Sequence, residues 1–343
     1  WPKATEHIKE MIEITKILED KGYTYKTSDG IYFDTSKLKD YGRLAKLDIQ
    51  GLEEGRRVDI GEKKNKTDFA LWKFSGEQEG KRQQEWNPKD FADVDWKIGF
   101  PGWHIECSAM SWKYLGKQFD IHTGGIDHPP VHHTNEIAQS EAAFDIKPWV
   151  KYWMHSHFLD LKDGKMSKSK GQIIRISELE EKGFSALEFR YLCLGTHYRK
   201  PVAFSEEQMK DSQNAYQRLN NIISELEDDQ EINNTYLQKF EDAINDDLNI
   251  PEALQVLWKL LRDEKAEGKL KTVEKIDEVL GLDLLKSREK NIEIPEKIQK
   301  LIEEREKARK NKDFEKADEI RDKLKELGFQ LDDSDKGVKV KRI

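Results

Sequence analysis

Apolar residues recur every three or four positions over residues 4–21, where Ile8 and Leu18 lie on one helical face. This spacing predicts an amphipathic helix that ends at Gly22. The next stretch, "YTYKTSDGIYFDTS", alternates apolar and polar residues and contains an Asp-Gly pair, a pattern typical of a β-hairpin. The chain is therefore expected to open with a helix followed by two antiparallel strands.

Between residues 101 and 162 the pattern changes to short buried runs that alternate with a helical pattern. The runs at 119–125 and 152–161 are predicted to be strands, and a helix is predicted over 133–144. Strands that alternate with helices are typical of a parallel α/β sheet. Residues 36–100, which precede this region, are interpreted as a mixed insertion rich in turn residues and tryptophan.

The rest of the chain is predicted to be largely helical. Helical spacing covers 177–194, 205–228, 235–246, 251–267, 271–280, 296–311 and 313–327. The final residues, "GVKVKRI", alternate and predict a strand. The sequence has no fixed-period repeat, so an α/β region followed by helical domains is the expected organisation.

Composition limits where in the cell the protein is expected to be found. Lys and Arg number 59 against 67 Asp and Glu, the formal net charge is −8, and the mean hydropathy is −0.86. No apolar run approaches the roughly 20 residues that a membrane span needs, so we expect no membrane association. Cys107 and Cys193 are the only cysteines, and the sequence shows no secretory leader. A reducing, cytoplasmic location is therefore expected.

Cys107, His132 and Glu136 form a candidate metal site. Thiolate, imidazole and carboxylate are all zinc ligands, and the spacing of His132 and Glu136 places both on one helix face. Three protein ligands leave one position open to water or substrate. On spacing alone two alternatives stay open: a cysteine that packs in the core, and histidines that cap a helix. The "HIE" triplet at 104–106 matches part of the zinc deaminase signature, but no Pro-Cys-x-x-Cys follows, which excludes that family.

The stretch "DGKMSKSKG" at residues 163–171 places three lysines within six residues of an acidic chain. It follows a predicted strand, and ligand-binding loops of open α/β sheets lie at the carboxyl ends of strands. Lysines in such a loop can neutralise charge on phosphate groups. A solvated surface turn is the alternative. The chain contains no Gly-x-x-x-x-Gly-Lys-[Ser/Thr] segment, which excludes a P-loop nucleotide site.

Several segments together resemble one enzyme family. "KMSKS" at residues 165–169 is the second ATP motif of class I aminoacyl-tRNA synthetases. "GWHIECSAM", "FDIHTGGIDHPPVHHTNEIAQSEA" and "YWMHSHFL" closely resemble segments of cysteinyl-tRNA synthetases. "INDDLNIPEAL" resembles the helical domain of that family, and "ARKNKDFEKADEIRDKLKELGFQLDD" resembles its anticodon-binding region. The resemblance runs from residue 2 to the end of the chain.

This resemblance implies a Rossmann-type parallel sheet followed by helical domains. It divides the chain into a catalytic domain over 1–174 with an insertion around 22–100, a stem-contact helical region over 175–234, a helical bundle over 235–288 and an anticodon-binding region over 289–343. The implied activity is ligation of L-cysteine to tRNA(Cys) through a cysteinyl-adenylate. The implied partners are tRNA(Cys), L-cysteine and ATP with Mg²⁺; one Zn²⁺ per chain and a monomeric state are also expected.

Residue roles carry over by motif position and are expectations. The zinc ligands fall on Cys107, His132 and Glu136, and Trp103 and His104 would form the wall of the cysteine pocket. Lys165 and Lys168 would be the catalytic cations, with Lys168 making the more direct phosphate contact. The expected ATP-binding residues are His122, Asp127, Met166, Ser167, Lys168 and Ser169.

The chain also departs from the family pattern. The first ATP motif, of the His-Ile-Gly-His type, and a cysteine that supplies a fourth zinc ligand are expected upstream of Trp1. We therefore expect the chain to be part of a longer enzyme and to be inactive alone. Thr134 stands where the family usually has Glu, a non-ligand position, and Val340 stands where it often has Trp.

Two other functions stay open. One is a cysteine-activating ligase for a small amine acceptor, which would not need residues 290–343. The other is a non-catalytic tRNA-binding remnant, suggested by the missing first ATP motif. The helices over 296–327 alone would be a solvated hairpin. The basic tail residues add a plausible RNA-facing surface, and they are Lys336, Lys339, Lys341 and Arg342.

Overall fold

The structure is a computed structural model that describes residues 1–47, 61–76, 82–161, 175–286, 295–311, 313–334 and 337–342. The chain divides into two compact units, Trp1–Ile173 with Thr196–Phe204, and Ile174–Gly195 with Ser205–Ile343. The four regions expected from the sequence are a finer division and stay a prediction. Among the described residues, no helix combines the length and the apolar character needed to cross a membrane.

The first unit begins with a helix and an antiparallel sheet. Helix α1 covers Ile8–Asp20, and the strands β1 (Thr24–Lys26), β2 (Gly30–Phe33), β3 (Phe69–Phe74) and β4 (Gly99–Pro101) are neighbours in that order. Helix α1 buries the apolar face that its spacing predicted, and β1 pairs antiparallel with β2. The predicted helix and hairpin are therefore confirmed.

Two glycines allow β4 to lie very close to β3. A Cβ atom on Gly99 would be 1.9 Å from the Lys73 carbonyl oxygen, and one on Gly102 would be 1.9 Å from the Ala70 carbonyl oxygen. No side chain tolerates such a distance, so only glycine fits unless the backbone moves. Helix α2 (Ile105–Leu115) begins three residues after Gly102, so this close approach lies at the entry to α2.

The first unit also contains a pair of parallel strands. Strands β5 (Phe119–Gly125) and β6 (Val150–Ser156) pair in parallel and are connected through helix α3 (His132–Phe144). A parallel pair needs such a crossover connection. The register places His122 opposite Trp153. The α/β fold with a parallel sheet, expected from the sequence, is confirmed.

The single strand predicted over 152–161 is wrong in one respect, because the chain forms two strands there. Strand β6 ends at Ser156, and β7 (Leu159–Leu161) pairs in parallel with β8 (Val202–Phe204) instead of with β5. The residues around the break, "HSHFL" at 155–159, contain neither glycine nor proline, so the sequence carries no strong turn signal at the change of partner.

The second unit is helical, as predicted. Its helices are α4 (Ile176–Glu181), α5 (Ala186–Leu194), α6 (Glu206–Ser224), α7 (Asn234–Asn245), α8 (Ile250–Arg262), α9 (Lys269–Leu280), α10 (Glu296–Lys310) and α11 (Phe314–Glu326), followed by strands β9 (Phe329–Ser334) and β10 (Gly337–Arg342). The strand predicted at the end of the chain is confirmed as β10, which pairs antiparallel with β9.

One predicted helix of this unit is also divided. The helix expected over 177–194 is broken because Gly183 takes a positive φ of 85°, which ends α4. Ser185 then caps α5 by accepting a hydrogen bond from the Glu188 backbone amide. The core of the bundle lies between α8 and α9, where Leu257 and Val273 are fully buried.

Candidate metal centre

Cys107, His132 and Glu136 bring their donor atoms together where α2 and α3 begin. Cys107 lies in the first turn of α2, and α3 starts at His132. The sulfur, one imidazole nitrogen and one carboxylate oxygen all lie within 4.8 Å of one another. His132 Nε2 is 3.6 Å from Glu136 Oε1, near the separation of about 3.4 Å between two ligand atoms of a tetrahedral zinc site.

Glu136 is the buried centre of this group. It is 0% exposed, and its Oε2 accepts a hydrogen bond from His122 Nε2 at 3.0 Å. Its Oε1 is buried and has no hydrogen-bond partner among the described residues. Burial alone would raise the pKa of Glu136, but the His122 and His132 rings outweigh it and lower the pKa to about 2. One oxygen of an ionised, buried carboxylate is therefore left for another cation.

Cys107 lies in surroundings that disfavour a free thiolate. Burial, together with the nearby Glu136 and Glu106 carboxylates, raises the pKa of the Cys107 thiol to about 12. Without a cation the thiol is therefore protonated at neutral pH. A bound metal ion reverses this preference, because it stabilises both the thiolate and the carboxylate.

The His104 ring contacts the His132 ring through its Nδ1 atom. The two Nδ1 atoms lie 3.0 Å apart, and the ring centroids are 5.0 Å apart. Burial, and then the neighbouring His132, lowers the pKa of His104 to about 4, so its ring is neutral at pH 7. This contact occupies Nδ1 of His132 and leaves Nε2 directed towards Glu136, the arrangement in which an outer hydrogen bond orients a ligating histidine.

His133 and His155 belong to a second group of histidines and were not singled out as site residues from the sequence. His133 Nδ1 lies 2.8 Å from His155 Nε2. Donor atoms of His122, His133 and Glu136 also lie within 4.8 Å of one another. Burial lowers the pKa of His133 to about 3, so this ring is neutral. The available signal was the "HH" doublet at the start of the predicted helix, whose partners depend on the β5–β6 register.

Trp103 and His104 border an open pocket next to the donor atoms. Trp103 is 70% exposed, and its ring centroid is 5.3 Å from that of His132. Trp103, His104 and the Phe69 and Phe100 rings line a cavity of about 430 Å³. The lining also includes the charged residues Lys73 and Glu106, so aromatic and charged side chains meet in this cavity beside the metal-ligand candidates.

The residues expected to bind ATP are only partly described. Asp127 follows β5, and its Oδ1 lies 3.1 Å from His128 Nδ1. His122 contacts the Glu136 carboxylate, as described above. The other expected residues, Lys165, Met166, Ser167, Lys168 and Ser169, lie outside the described residues.

Two protein-family profiles match the chain. The profile described as "tRNA synthetases class I (C) catalytic domain" matches residues 1–214, and that of the "Cysteinyl-tRNA ligase anticodon binding domain" matches residues 291–340. Cysteine–tRNA ligase 1 of Burkholderia lata is 46% identical over 342 residues, which cover 99% of this chain and 71% of the relative. The chain belongs to the cysteine–tRNA ligase family.

Other members of the cysteine–tRNA ligase family are similar. The enzyme of Treponema denticola is 43% identical over 96% of this chain and 73% of its own length, and that of Brachyspira hyodysenteriae is 43% identical over 99% and 76%. A solved leucyl-tRNA synthetase complex from Agrobacterium radiobacter K84 has a TM-score of 0.42 and 14% identity over 56% of this chain and 32% of that chain, too low to bear on function. The family resemblance and the enzyme class expected from the motifs are confirmed.

Proposed function

We propose that this chain takes part in the ATP-dependent ligation of L-cysteine to tRNA(Cys) through a cysteinyl-adenylate, in the cytoplasm, with Zn²⁺ selecting the cysteine. The observation that carries the proposal is the convergence of the Cys107, His132 and Glu136 donor atoms in a member of the cysteine–tRNA ligase family. The other features below support single steps of the reaction.

The donor set of Cys107, His132 and Glu136 fits zinc. Thiolate, imidazole and carboxylate are ligands that Zn²⁺ prefers, and the unpartnered Oε1 of Glu136 is the oxygen that would bind it. When bound, zinc would favour the thiolate of cysteine over the hydroxyl of serine, which an apolar pocket distinguishes poorly. Together with the cysteine ligand expected upstream of Trp1, the three side chains would hold the ion while a position remains for the substrate sulfur.

The side chains beside this donor set would bind and orient the amino acid. Trp103 and His104 would form the pocket wall, and the exposed face of Trp103 suits the ammonium group of cysteine. The neutral ring of His104 keeps a second positive charge away from that ammonium group. His122 would hold the Glu136 carboxylate in position.

Activation requires attack of the cysteine carboxylate on the α-phosphate of ATP, which releases pyrophosphate. Lys165 and Lys168 of the "KMSKS" motif would neutralise the charge on the phosphates, together with the Mg²⁺ that accompanies ATP. Asp127, two residues after the end of β5, would hold the adenosine. The 3′-terminal adenosine of tRNA then takes the cysteinyl group, and AMP leaves.

The acceptor is proposed to be tRNA rather than a small amine. The match of residues 291–340 to an anticodon-binding domain supports this choice, because a small-molecule acceptor has no anticodon to recognise. The basic residues of the tail, including Lys339 and Arg342, would contribute contacts to the RNA backbone.

Metal analysis and tRNA binding test the proposal on the chain itself. We expect about one zinc ion per chain, loss of that zinc in Cys107→Ser, and preference for tRNA(Cys) over a non-cognate tRNA in a binding titration. Cys193→Ser, which changes the other cysteine, is the control and should keep its zinc. Unchanged zinc content in Cys107→Ser would refute the assignment of Cys107 as a ligand. Equal affinity for both tRNAs would refute tRNA(Cys) as the specific partner.

A further inference from the structure

A row of buried polar side chains connects helices α2 and α3. Ser108, Gln139 and Ser140 are each 0% exposed. Gln139 Nε2 donates to Ser108 Oγ and to the His104 carbonyl oxygen, both at 2.6 Å, and Ser140 Oγ donates to Ser108 Oγ at 2.9 Å. We call Ser108, Gln139 and Ser140 the α2–α3 clasp.

The α2–α3 contact combines small and large apolar side chains. The small ones are Ala109, Ala138, Ala142 and Ala143, whereas Trp112 of α2 and Phe144 of α3 have ring centroids 5.3 Å apart. Alanine surfaces have shallow ridges, so that part of the contact adds little to the register of the two helices. Hydrogen bonds, by contrast, need their partners in place, and a slip of one turn, about 5.4 Å, would leave the clasp unpaired inside the core.

The clasp lies next to the donor atoms of the candidate metal centre. Ser108 adjoins Cys107, and Gln139 and Ser140 follow Glu136 by three and four residues, which places them on the same side of α3. Gln139 also holds the backbone carbonyl of His104, the residue that precedes the first turn of α2. The register that the clasp selects is therefore the register at which Cys107 faces Glu136.

The clasp is not arranged for maximal stability. Gln139 Oε1 is buried and has no hydrogen-bond partner among the described residues, which costs free energy. An apolar side chain of similar length would avoid that cost but would lose both hydrogen bonds to α2. The amide is therefore better explained by the position it gives α2 than by the stability it adds.

We propose that Gln139 is a positioning residue for the metal centre: through Ser108 and the His104 carbonyl, it sets the register of α2 on α3 at which Cys107 meets His132 and Glu136. Gln139 is neither one of the candidate ligands nor one of the residues that line the pocket. The proposal rests on the zinc site described under Proposed function, and it assigns a role to a residue outside the ligand set.

The test compares Gln139→Met with Thr15→Val in the full chain. Thr15 is equally buried in the same core, but its Oγ1 donates within α1, to the Met11 carbonyl at 2.8 Å. Zinc affinity is measured by competition with a chromophoric chelator, and the free energy of unfolding is measured without metal. We expect Gln139→Met to bind zinc about 10–100-fold more weakly and Thr15→Val to bind it as tightly as the parent.

A second readout separates positioning from general destabilisation. With Co²⁺ in place of zinc, the thiolate-to-metal absorption of the parent should weaken in Gln139→Met, because Cys107 no longer reaches the ion, and stay unchanged in Thr15→Val. Parental affinity and absorption in Gln139→Met would overturn the proposal. So would an equal loss of affinity in Thr15→Val, because the effect would then follow from core destabilisation alone.

Two further outcomes are distinguishable from these. A parent chain that binds no zinc, or a Cys107→Ser variant with unchanged affinity, overturns the zinc site and the role of Gln139 together, whereas failure in Gln139→Met alone leaves the zinc site intact. If Gln139→Met does not fold, Ser140→Ala is measured instead, because it removes a single hydrogen bond to Ser108. That variant should bind zinc about fivefold more weakly, and parental affinity would overturn the proposal.

Discussion

Asp68 and Glu136 are both buried carboxylates of the first unit, and their oxygens are partnered differently. Asp68 accepts hydrogen bonds from the Thr35 backbone amide at 2.9 Å, the Asn65 backbone amide at 2.9 Å and the Tyr25 hydroxyl at 2.7 Å. Glu136 has one oxygen with no hydrogen-bond partner among the described residues. A fully bonded carboxylate stabilises the fold, whereas one with an open oxygen is a candidate for binding.

The bonding of Asp68 leads to a stability prediction. Asp68→Ala should lower the free energy of unfolding by about 3 kcal/mol, because several buried donors lose a charged acceptor. Urea unfolding monitored by tryptophan fluorescence measures this difference. Asp93→Ala, at an exposed aspartate, is the control and should change it by about 0.5 kcal/mol or less. A similar small change for Asp68→Ala would mean that its hydrogen bonds contribute little.

Lys168 allows a prediction about the phosphate-binding motif. In the complete gene product, Lys168→Ala should slow cysteine-dependent ATP–pyrophosphate exchange about 100-fold, because a cation that stabilises the transferring phosphate is removed. Zinc content should not change. Lys170→Ala, the third lysine of the same segment, is the matched control and should retain most of the exchange activity. Equal losses in both variants would show that only the net charge of the segment matters.

At the residue scale, spacing and motifs were sufficient to select the ligand candidates from the sequence. They were not sufficient to predict which residues contact those candidates. His132 and Glu136 are four apart on one helix, so their proximity is local and can be predicted. The contact between His122 and Glu136 joins a strand to a helix. It depends on how β5 packs against α3, and no local pattern contains that information. The sequence therefore placed His122 at the ATP site by resemblance alone.

At the element scale, helix α3 has a distinct set of polar groups near each end. Its first turn carries the donor atoms, and at its other end Lys21 Nζ donates to the Ala142 and Ala143 carbonyl oxygens at 3.1 and 2.7 Å and pairs with Asp145 Oδ2 at 2.6 Å. A cation at this position bonds free carbonyls and complements the helix dipole. Lys21, the residue directly after α1, therefore fixes the end of the helix that bears the candidate ligands.

Removal of this cap should weaken α3. Lys21→Met should lower the free energy of unfolding by about 1 kcal/mol, because the helix end loses its charge complement and two hydrogen bonds. Lys16→Met offers a matched control, because Lys16 forms its ion pair with Asp20 of the same helix, on the surface of α1. Chemical unfolding of both variants checks the prediction, and equal effects of the two substitutions would contradict it.

The divided elements show what periodicity can and cannot predict. The break at Gly183 was visible in the sequence, because a glycine inside a helical pattern often marks a helix end, yet the apolar spacing continued across it. The break after Ser156 had no such signal, because neither glycine nor proline lies between β6 and β7. Strand β7 pairs with β8, and such partner choice is a tertiary property that the local pattern does not contain.

At the scale of the whole molecule, charge is distributed unevenly along the chain. The formal net charge is −8, yet residues 336–342 carry Lys336, Lys339, Lys341 and Arg342. Binding of a polyanion depends on such local concentrations and not on the total. The negative net charge therefore does not argue against the tRNA contacts proposed for this segment.

The proposed tail contacts can be tested through salt dependence. Combined Lys339→Ala, Lys341→Ala and Arg342→Ala should weaken tRNA(Cys) binding at low salt and reduce the slope of log affinity against log salt by about 2, because fewer counterions are released. Lys275→Ala removes a lysine that pairs with Glu278 on α9 and is the control. A titration series in KCl provides the slopes, and an unchanged slope would place the phosphate contacts elsewhere.

Gly99 and Gly102 have a consequence for anyone who mutates this chain systematically. A map of tolerated substitutions would show both glycines as nearly invariant, because any Cβ there meets a carbonyl oxygen of β3 at 1.9 Å. On such a map they would be indistinguishable from Cys107, although they offer no chemical group. Intolerance at the edge of this site can thus arise from a lack of space, and only a metal-binding assay on folded variants separates the two causes.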